Sequence, residues 1–224
     1  MTETEYKIYI DDIVRRVEFA RLQVSDYHIV KTIAVSKYST SDEVSKLYNI
    51  GQRAFGENKV QDLKTKSQEL EDLPLEWHFI GNLQKNKINN LLDIRPSLFH
   101  ALDSIELAEE LQKKLLVKNI TLNTLMQINS AKEASKHGIM PELAIETYKQ
   151  IQESCPNIKL KGVMSIGANS DDRDIIKQSF VTTHNIYKQL HGATICSMGM
   201  SGDFELAISC GSNMIRLGSV MFNK

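Results

Sequence analysis

Short apolar segments with β-strand character recur along this chain, and a segment of helical periodicity separates each from the next. The strand candidates are Thr32–Lys37, Ala54–Glu57, Trp77–Gly81, Leu98–Leu102, Thr124–Asn129, Leu160–Ile166, Thr194–Gly199 and Met214–Gly218. The helical patterns between them include Asp42–Ile50, Asn58–Glu71, Ser104–Val117, Pro141–Glu153 and Asp172–Leu190. Since consecutive parallel strands need a crossover between them, the alternation predicts a parallel sheet.

Eight strands is the number that closes a TIM-type (β/α)8 barrel, which is therefore the predicted fold, with a doubly wound open sheet as the alternative. Residues 32–218 hold all eight units without a linker or an inserted second domain, so we expect one domain over residues 1–224. Residues 1–25 precede the barrel and are predicted to form an amphipathic helix. Its apolar positions are Ile10, Ile13, Val14, Val17 and Leu22.

The composition excludes several classes of protein. A net charge of −1 with 25% charged and 42% hydrophobic residues argues against disorder and against a nucleic-acid partner. No signal peptide and no apolar run of about 18 residues is present, so we expect a cytoplasmic protein with no membrane partner. Cys155, Cys196 and Cys210 show no C-x-x-C spacing, so we expect buried, reduced thiols and no metal site.

Lys37 ends the first strand candidate, and turn-forming residues follow it at once. In a barrel of this type the chemistry lies at the carboxyl ends of the strands. Burial there would favour a neutral amine, the form that Schiff-base chemistry needs. The alternative is a lysine whose charged end extends from the strand into solvent. If strand alternation continues to Lys37, then Ile33 and Val35 fill the interior beneath it.

The seventh strand candidate runs into Ser197-Met198-Gly199-Met200-Ser201-Gly202-Asp203, followed by a predicted helix at Phe204–Ser209. Gly199 and Gly202 allow the backbone to approach a ligand closely, and Ser201 adds a hydroxyl near free N–H groups. This pattern predicts a phosphate-binding loop, although an ordinary turn with a Ser201 cap fits it as well.

Arg216-Leu217-Gly218-Ser219 ends the eighth strand candidate. Gly218 and Ser219 lie where a second loop can donate backbone N–H groups to the same phosphate. Arg216 is either a permanent cation at the barrel mouth or one half of a structural ion pair.

A lysine able to form a Schiff base, a phosphate-binding loop and an arginine between them together fit a phosphorylated aldehyde. Pyridoxal 5′-phosphate is such a molecule, because its aldehyde needs a lysine, its phosphate needs N–H donors and its pyridine nitrogen needs a partner. An arginine in place of a carboxylate leaves that nitrogen unprotonated and weakens the ring as an electron sink. This favours little or no carbanion chemistry.

The chain resembles the pyridoxal phosphate homeostasis proteins, single-domain relatives of the alanine racemase barrel, from Ile33 to Phe222. The motifs that carry the resemblance are Ala34-Val35-Ser36-Lys37, Phe55-Gly56-Glu57-Asn58, Trp77-His78-Phe79-Ile80-Gly81-Asn82-Leu83-Gln84-x-Asn86-Lys87, His100-x-x-Asp103-Ser104, Ser135-Lys136-x-Gly138, Gly162-Val163-Met164, Met198-Gly199-Met200-Ser201-x-Asp203-Phe204 and Arg216-x-Gly218.

The resemblance implies a cofactor site of nine residues. In it Lys37 carries the cofactor as an internal aldimine, Arg216 faces the pyridine nitrogen, and Asn58 and Met164 line the ring. The residues implied at the phosphate are Gly199, Met200, Ser201, Gly218 and Ser219.

Two departures from the family pattern are present: Gly167 stands where proline is common, and Asn223 stands where glycine is common. They affect the loop after the sixth strand and the chain end. His78 and His100 are interpreted as hydrogen-bonded structural histidines rather than catalytic bases.

Three other residues near the predicted mouth have no assigned role. Lys85 and Lys87 either solvate a helix start or form a basic rim that attracts a phosphorylated ligand. Glu57 lies at a strand end.

The leading hypothesis is a monomeric, non-catalytic protein that holds pyridoxal phosphate on Lys37 and buffers it or delivers it to apoenzymes that depend on it. The alternative is an amino-acid racemase or decarboxylase with the same cofactor. A third hypothesis, a Schiff-base aldolase acting on a sugar phosphate, fits Lys37 but not Arg216.

Overall fold

The chain forms a closed barrel of parallel strands in a computed structural model that describes residues 2–133 and 135–222. The strands are β1 (Lys31–Val35), β2 (Ala54–Glu57), β3 (Glu76–Phe79), β4 (Leu98–Leu102), β5 (Leu122–Ile128), β6 (Ile158–Ser165), β7 (Ile195–Ser197) and β8 (Met214–Leu217). Each strand pairs with the next, and β8 pairs with β1. The predicted TIM-type barrel is confirmed, and the open sheet is excluded.

Within the described part of the chain, one helix precedes the first strand, and one further helix follows each of the eight strands. The helices are α1 (Glu3–Leu22), α2 (Ser41–Asn49), α3 (Val60–Glu69), α4 (Ile88–Ile94), α5 (Ile105–Lys118), α6 (Ala144–Ser154), α7 (Arg173–Tyr187), α8 (Phe204–Ser209) and α9 (Ser219–Phe222). Short 3₁₀ turns at Lys85–Lys87 and Pro141–Leu143 precede α4 and α6.

Several strands are shorter than the sequence predicts, chiefly at their carboxyl ends. Strand β1 ends at Val35, the last residue that pairs with β2, so Lys37 lies beyond the strand. Strand β7 has three residues and pairs with β8 only at Ser197 and Met214. Apolar runs continue into the loops because loop residues near the barrel mouth are buried as well, and periodicity alone does not separate the two.

Helix α1 begins with a capping box in which Thr2 accepts a hydrogen bond from the Glu5 backbone N–H. It ends at Leu22, three residues earlier than predicted. Its buried face consists of Tyr6, Ile13, Val17 and Ala20, whereas Val14 and Leu22 are exposed.

The prediction of an apolar face through Val14 and Leu22 is therefore wrong. The buried stripe of α1 contacts α2, α8 and α9, and Val14 and Leu22 lie off that stripe.

The core fills both the barrel interior and the layer between barrel and helices. The three cysteines are buried and unpaired, as predicted. Within the described residues, no helix combines the length and the apolar character that crossing a membrane requires.

Candidate functional site

A cavity of about 540 Å³ opens between the carboxyl ends of β1 and β8. Its volume falls in the range of about 300–1,000 Å³ that is usual for small-molecule sites. The lining residues are Val35, Lys37, Tyr38, Ser39, Ile80, Met200, Ser201, Gly202, Arg216, Gly218, Ser219 and Phe222. Lys37, the loop after β7 and the loop after β8 therefore meet at one cavity, as the barrel topology requires.

Lys37 lies in a tight turn that directly follows β1. The Ser39 backbone N–H donates to the Ser36 carbonyl at 2.9 Å. Tyr38, the third residue of the turn, has φ 70°, whereas Lys37 does not have a positive φ, which is the pattern of a type II turn. The Lys37 side chain is exposed, and its ammonium lies 5.6 Å from the centre of the Tyr38 ring.

The expectation that Lys37 is a buried strand residue is therefore wrong. The chain turns at Ser36, which places the amine at the open edge of the cavity. Lys37 is therefore solvated, although the residues directly before it are buried.

Gly199 has a packing role in this loop. Its φ is +94°, and a Cβ there would lie 2.6 Å from the Cβ of Ala207 in α8. Gly199 does not line the cavity. Gly202 does line it, and a Cβ built at Gly202 meets no atom within 4 Å.

The loops supply backbone donors at the cavity, although not all of those that the sequence suggests. The Met200 N–H already donates to the Asp203 carboxylate at 2.6 Å, and the Gly218 N–H donates to the Ser201 hydroxyl oxygen at 3.2 Å. Among the described residues, nothing accepts from the backbone N–H groups of Ser201, Gly202 and Ser219, three residues that line the cavity. These donors, not that of Met200, are available to an anion.

Arg216 is 5% exposed and projects from β8 toward the cavity. Its guanidinium donates to the Ser197 carbonyl and hydroxyl at 3.0 and 2.6 Å, and to the Ser165 carbonyl at 2.9 Å. These bonds leave the Nε–H and one Nη2–H without a partner among the described residues. Burial lowers the pKa of Arg216 to about 10, so the group stays cationic at neutral pH.

The structural ion pair considered for Arg216 does not occur within the described part of the chain. The nearby charge of Asp203 still raises the Arg216 pKa and partly offsets the effect of burial.

Asn58 and Met164 lie outside the lining of this cavity. Met164 is a buried residue of β6, and Asn58 follows β2. The Asn58 backbone is packed so closely against Gly81 that a Cβ at Gly81 would lie 2.0 Å from the Asn58 carbonyl oxygen. Asn223 and its departure from the family pattern lie outside the described residues.

Lys66 is a buried residue near this site that the sequence patterns did not predict. Its ammonium donates to the Ser36 carbonyl at 2.7 Å and to the Glu57 carboxylate at 2.5 Å. A signal was present, because Lys66 shares the buried face of α3 with Val60 and Leu63. A lysine on an apolar helix face needs a buried partner.

His78 and His100 belong to a separate network inside the barrel. The Glu76 carboxylate accepts from Lys31 at 2.5 Å and from His78 Nε2 at 3.0 Å, and His78 Nδ1 lies 2.8 Å from His100 Nε2. Burial lowers the pKa of both histidines. This geometry favours the structural interpretation, although His100 Nδ1 has no partner among the described residues.

Lys85 and Lys87 are exposed in the turn before α4 and do not line the cavity. Their effect on ligand attraction stays a prediction.

The fold and the site define a single barrel of the alanine racemase type. A family model described as "Alanine racemase, N-terminal domain" matches residues 10–223. An alanine racemase from Corynebacterium glutamicum shares this fold with a TM-score of 0.68 at 13% identity, and the match covers 94% of this chain and 60% of that one.

Sequence similarity identifies the family within this fold class. The pyridoxal phosphate homeostasis protein of Helicobacter pylori strain 26695 is 52% identical over 220 residues, which cover 98% of this chain and 99% of the relative. The chain belongs to the pyridoxal phosphate homeostasis protein family.

A solved structure similar to this chain is PipY of Synechococcus elongatus, described with PLP bound. It is 30% identical with a TM-score of 0.79, and the match covers 92% of this chain and 99% of PipY. A structure of PipY without PLP matches with a TM-score of 0.80.

Proposed function

We propose that this protein binds pyridoxal 5′-phosphate in the cavity between β1 and β8, with Lys37 attached to the aldehyde as a Schiff base. One observation carries the proposal. An exposed lysine, a buried arginine with spare N–H groups and backbone donors from two loops all face one cavity of about 540 Å³.

The donors suit the parts of this cofactor. A phosphate is an acceptor with high negative charge, and the free N–H groups of Ser201, Gly202 and Ser219 can bind it without breaking a bond that exists. The remaining N–H groups of Arg216 suit an unprotonated ring nitrogen, which accepts one hydrogen bond. The description of PipY with PLP bound supports the choice of cofactor.

When bound, the cofactor supplies an aldehyde and an electron-withdrawing ring. The chain positions Lys37, binds the phosphate and holds a permanent cation at the ring nitrogen. With that nitrogen unprotonated, the ring withdraws electrons less strongly.

We further propose that the protein holds and releases the cofactor without turnover, with PLP-dependent apoenzymes as recipients. The cavity-lining residues that the structure describes include no histidine, aspartate or glutamate, which leaves Lys37 and Tyr38 as the lining side chains able to act as general bases. A reaction that needs a histidine or carboxylate base at the cavity is therefore disfavoured. The names of the relatives support a role in cofactor homeostasis. We propose that the carrier acts as a monomer.

The test is to purify the protein with pyridoxal phosphate, record its visible spectrum, reduce it with borohydride and locate the adduct by peptide mass spectrometry. A yellow protein labelled on Lys37 supports the proposal. A colourless protein without an adduct overturns it and favours the sugar-phosphate aldolase.

Exchange of amino-acid α-protons in deuterated water then separates the two cofactor-based functions. No exchange above background supports the carrier. Exchange that disappears in Lys37→Ala supports an enzyme.

A further inference from the structure

The turn that carries Lys37 is held from below by a buried cluster of Ser36, Glu57 and Lys66. The Ser36 carbonyl accepts from the Lys66 ammonium at 2.7 Å and from the Ser39 N–H at 2.9 Å. The Ser36 hydroxyl donates to Glu57 Oε1 at 2.7 Å, and the Lys66 ammonium donates to the same oxygen at 2.5 Å. The carbonyl and the hydroxyl of the residue before Lys37 are therefore both bound by one ion pair.

This ion pair is poorly arranged for stabilising the fold. Glu57 is fully buried, and its Oε2 has no partner among the described residues. A buried pair is a weak source of stability unless its remaining lone pairs are satisfied. The cluster instead concentrates its donors and acceptors on Ser36, which points to a role in fixing that residue.

The turn needs such support because Tyr38 has φ 70°. A tyrosine in the left-handed region is strained, and this conformation persists only where neighbouring groups hold it. The bond from Ser39 to the Ser36 carbonyl closes the turn, and Lys66 fixes the same carbonyl to α3. If the carbonyl were released, Lys37 would sample directions away from the cavity.

We propose that Lys66 and Glu57 are positioning residues that hold the Lys37 turn in the geometry in which the amine meets a bound aldehyde. This inference rests on the proposed function. The two residues do not touch the ligand cavity, and they act through Ser36.

The first test uses the protein without cofactor. Exchange of the Ser39 amide hydrogen, followed by NMR, should be at least tenfold faster in Lys66→Met than in the wild type. The matched control is Lys64→Met, which removes an exposed lysine from the same helix and should leave the exchange unchanged. An unchanged Ser39 rate in Lys66→Met overturns the proposal, whether or not the protein binds pyridoxal phosphate.

The second test compares covalent with total cofactor. Total pyridoxal phosphate is measured by equilibrium dialysis, and the covalent part by borohydride reduction and mass spectrometry. Lys66→Met should retain total binding within about threefold and lower the reducible fraction at least fivefold. General damage to the fold would lower both quantities together.

If Lys66→Met does not fold, the double variant Glu57→Gln/Lys66→Met replaces it, because it removes both buried charges together. A reducible fraction equal to that of Lys64→Met in the folded variant overturns the proposal. A wild type that shows no covalent cofactor contradicts the proposed function instead, and the amide exchange still decides whether Lys66 holds the turn.

Discussion

The hydroxyl oxygen of Ser201 accepts a hydrogen bond from the backbone N–H of Gly218 at 3.2 Å. This bond joins the loop after β7 to the loop after β8, where the strands themselves pair at a single position. Ser201 therefore ties together the two loops whose free N–H groups face the cavity. A phosphate bound there depends on both loops keeping their spacing.

Replacing Ser201 with alanine removes the tie to Gly218 and a hydroxyl whose O–H can donate to a bound phosphate. Pyridoxal phosphate binding should weaken by about tenfold, or roughly 1.4 kcal/mol, the loss expected for one hydrogen bond to a charged group. Equilibrium dialysis measures the change. Ser201→Thr keeps a hydroxyl and should bind more tightly than Ser201→Ala. Binding of pyridoxal, which lacks the phosphate, should change less, and an equal loss for both ligands would argue against a phosphate site.

Replacing Arg216 with glutamine should also weaken cofactor binding by at least tenfold, because the buried cation is lost together with its bonds to Ser197 and Ser165. Dialysis is combined with circular dichroism to confirm that the variant is folded. The matched control is Arg15→Gln on α1, where the arginine side chain is 78% exposed. Unchanged affinity in both Arg216→Gln and Ser201→Ala would exclude this cavity as the cofactor site.

Replacing Lys37 with alanine should abolish the absorbance band of the Schiff base and the reducible adduct, because the amine is the covalent attachment point. Non-covalent binding should persist, since the phosphate and ring contacts come from other residues. Lys85→Ala removes an exposed lysine outside the cavity and should keep the adduct. An adduct that survives in Lys37→Ala would move the attachment to another lysine.

The barrel could be predicted from sequence because each strand is a short apolar run with a helical pattern on either side. Parallel topology then brings Lys37, Ser201 and Arg216 to one end without further information. The direction of side chains at strand ends could not be predicted. Lys37 is exposed because β1 stops at Val35, and the run of apolar residues does not show where pairing with β2 ends.

The roles of individual loop residues could not be predicted from the sequence either. Gly199 and Gly202 look alike in a glycine-containing loop, yet only Gly199 lies against α8. The Met200 N–H is unavailable because Asp203 accepts from it, a bond that depends on the loop conformation.

The two glycines give a matched stability test. Gly199→Ala should lower the free energy of unfolding by about 2–4 kcal/mol, because the added Cβ would lie 2.6 Å from Ala207 and the backbone has a positive φ. Gly202→Ala meets nothing within 4 Å and should change stability by less than about 1 kcal/mol. Urea denaturation of the two variants measures both values. Equal effects would mean that the loop repacks around either side chain.

Because His78 and His100 are buried, we expect the free energy of unfolding to fall in mild acid. Burial lowers the pKa of His78 and, more strongly, of His100 below the ordinary value of 6.5. Below pH 6.5 the unfolded chain therefore binds protons that the folded chain does not, which favours unfolding as the pH falls. Glu76 titrates at lower pH than the histidines. Hydrogen bonds from His78 and Lys31 lower the pKa of Glu76 to about 2, so the stability that its ionised carboxylate provides is lost between pH 4.5 and 2.

Between pH 7.5 and 5.5, the change in stability therefore comes from the histidines and not from the Glu76 carboxylate. For each histidine that stays neutral in the folded state, about 1.4 kcal/mol is lost at pH 5.5, one unit below its unfolded pKa. Urea denaturation should show that the fall in the free energy of unfolding is smaller by about this amount in His100→Gln than in the wild type. His191→Gln removes an exposed histidine and should behave as the wild type does. A fall in His100→Gln as large as that of the wild type would mean that His100 accepts a proton inside the folded barrel, with its free Nδ1 as the acceptor.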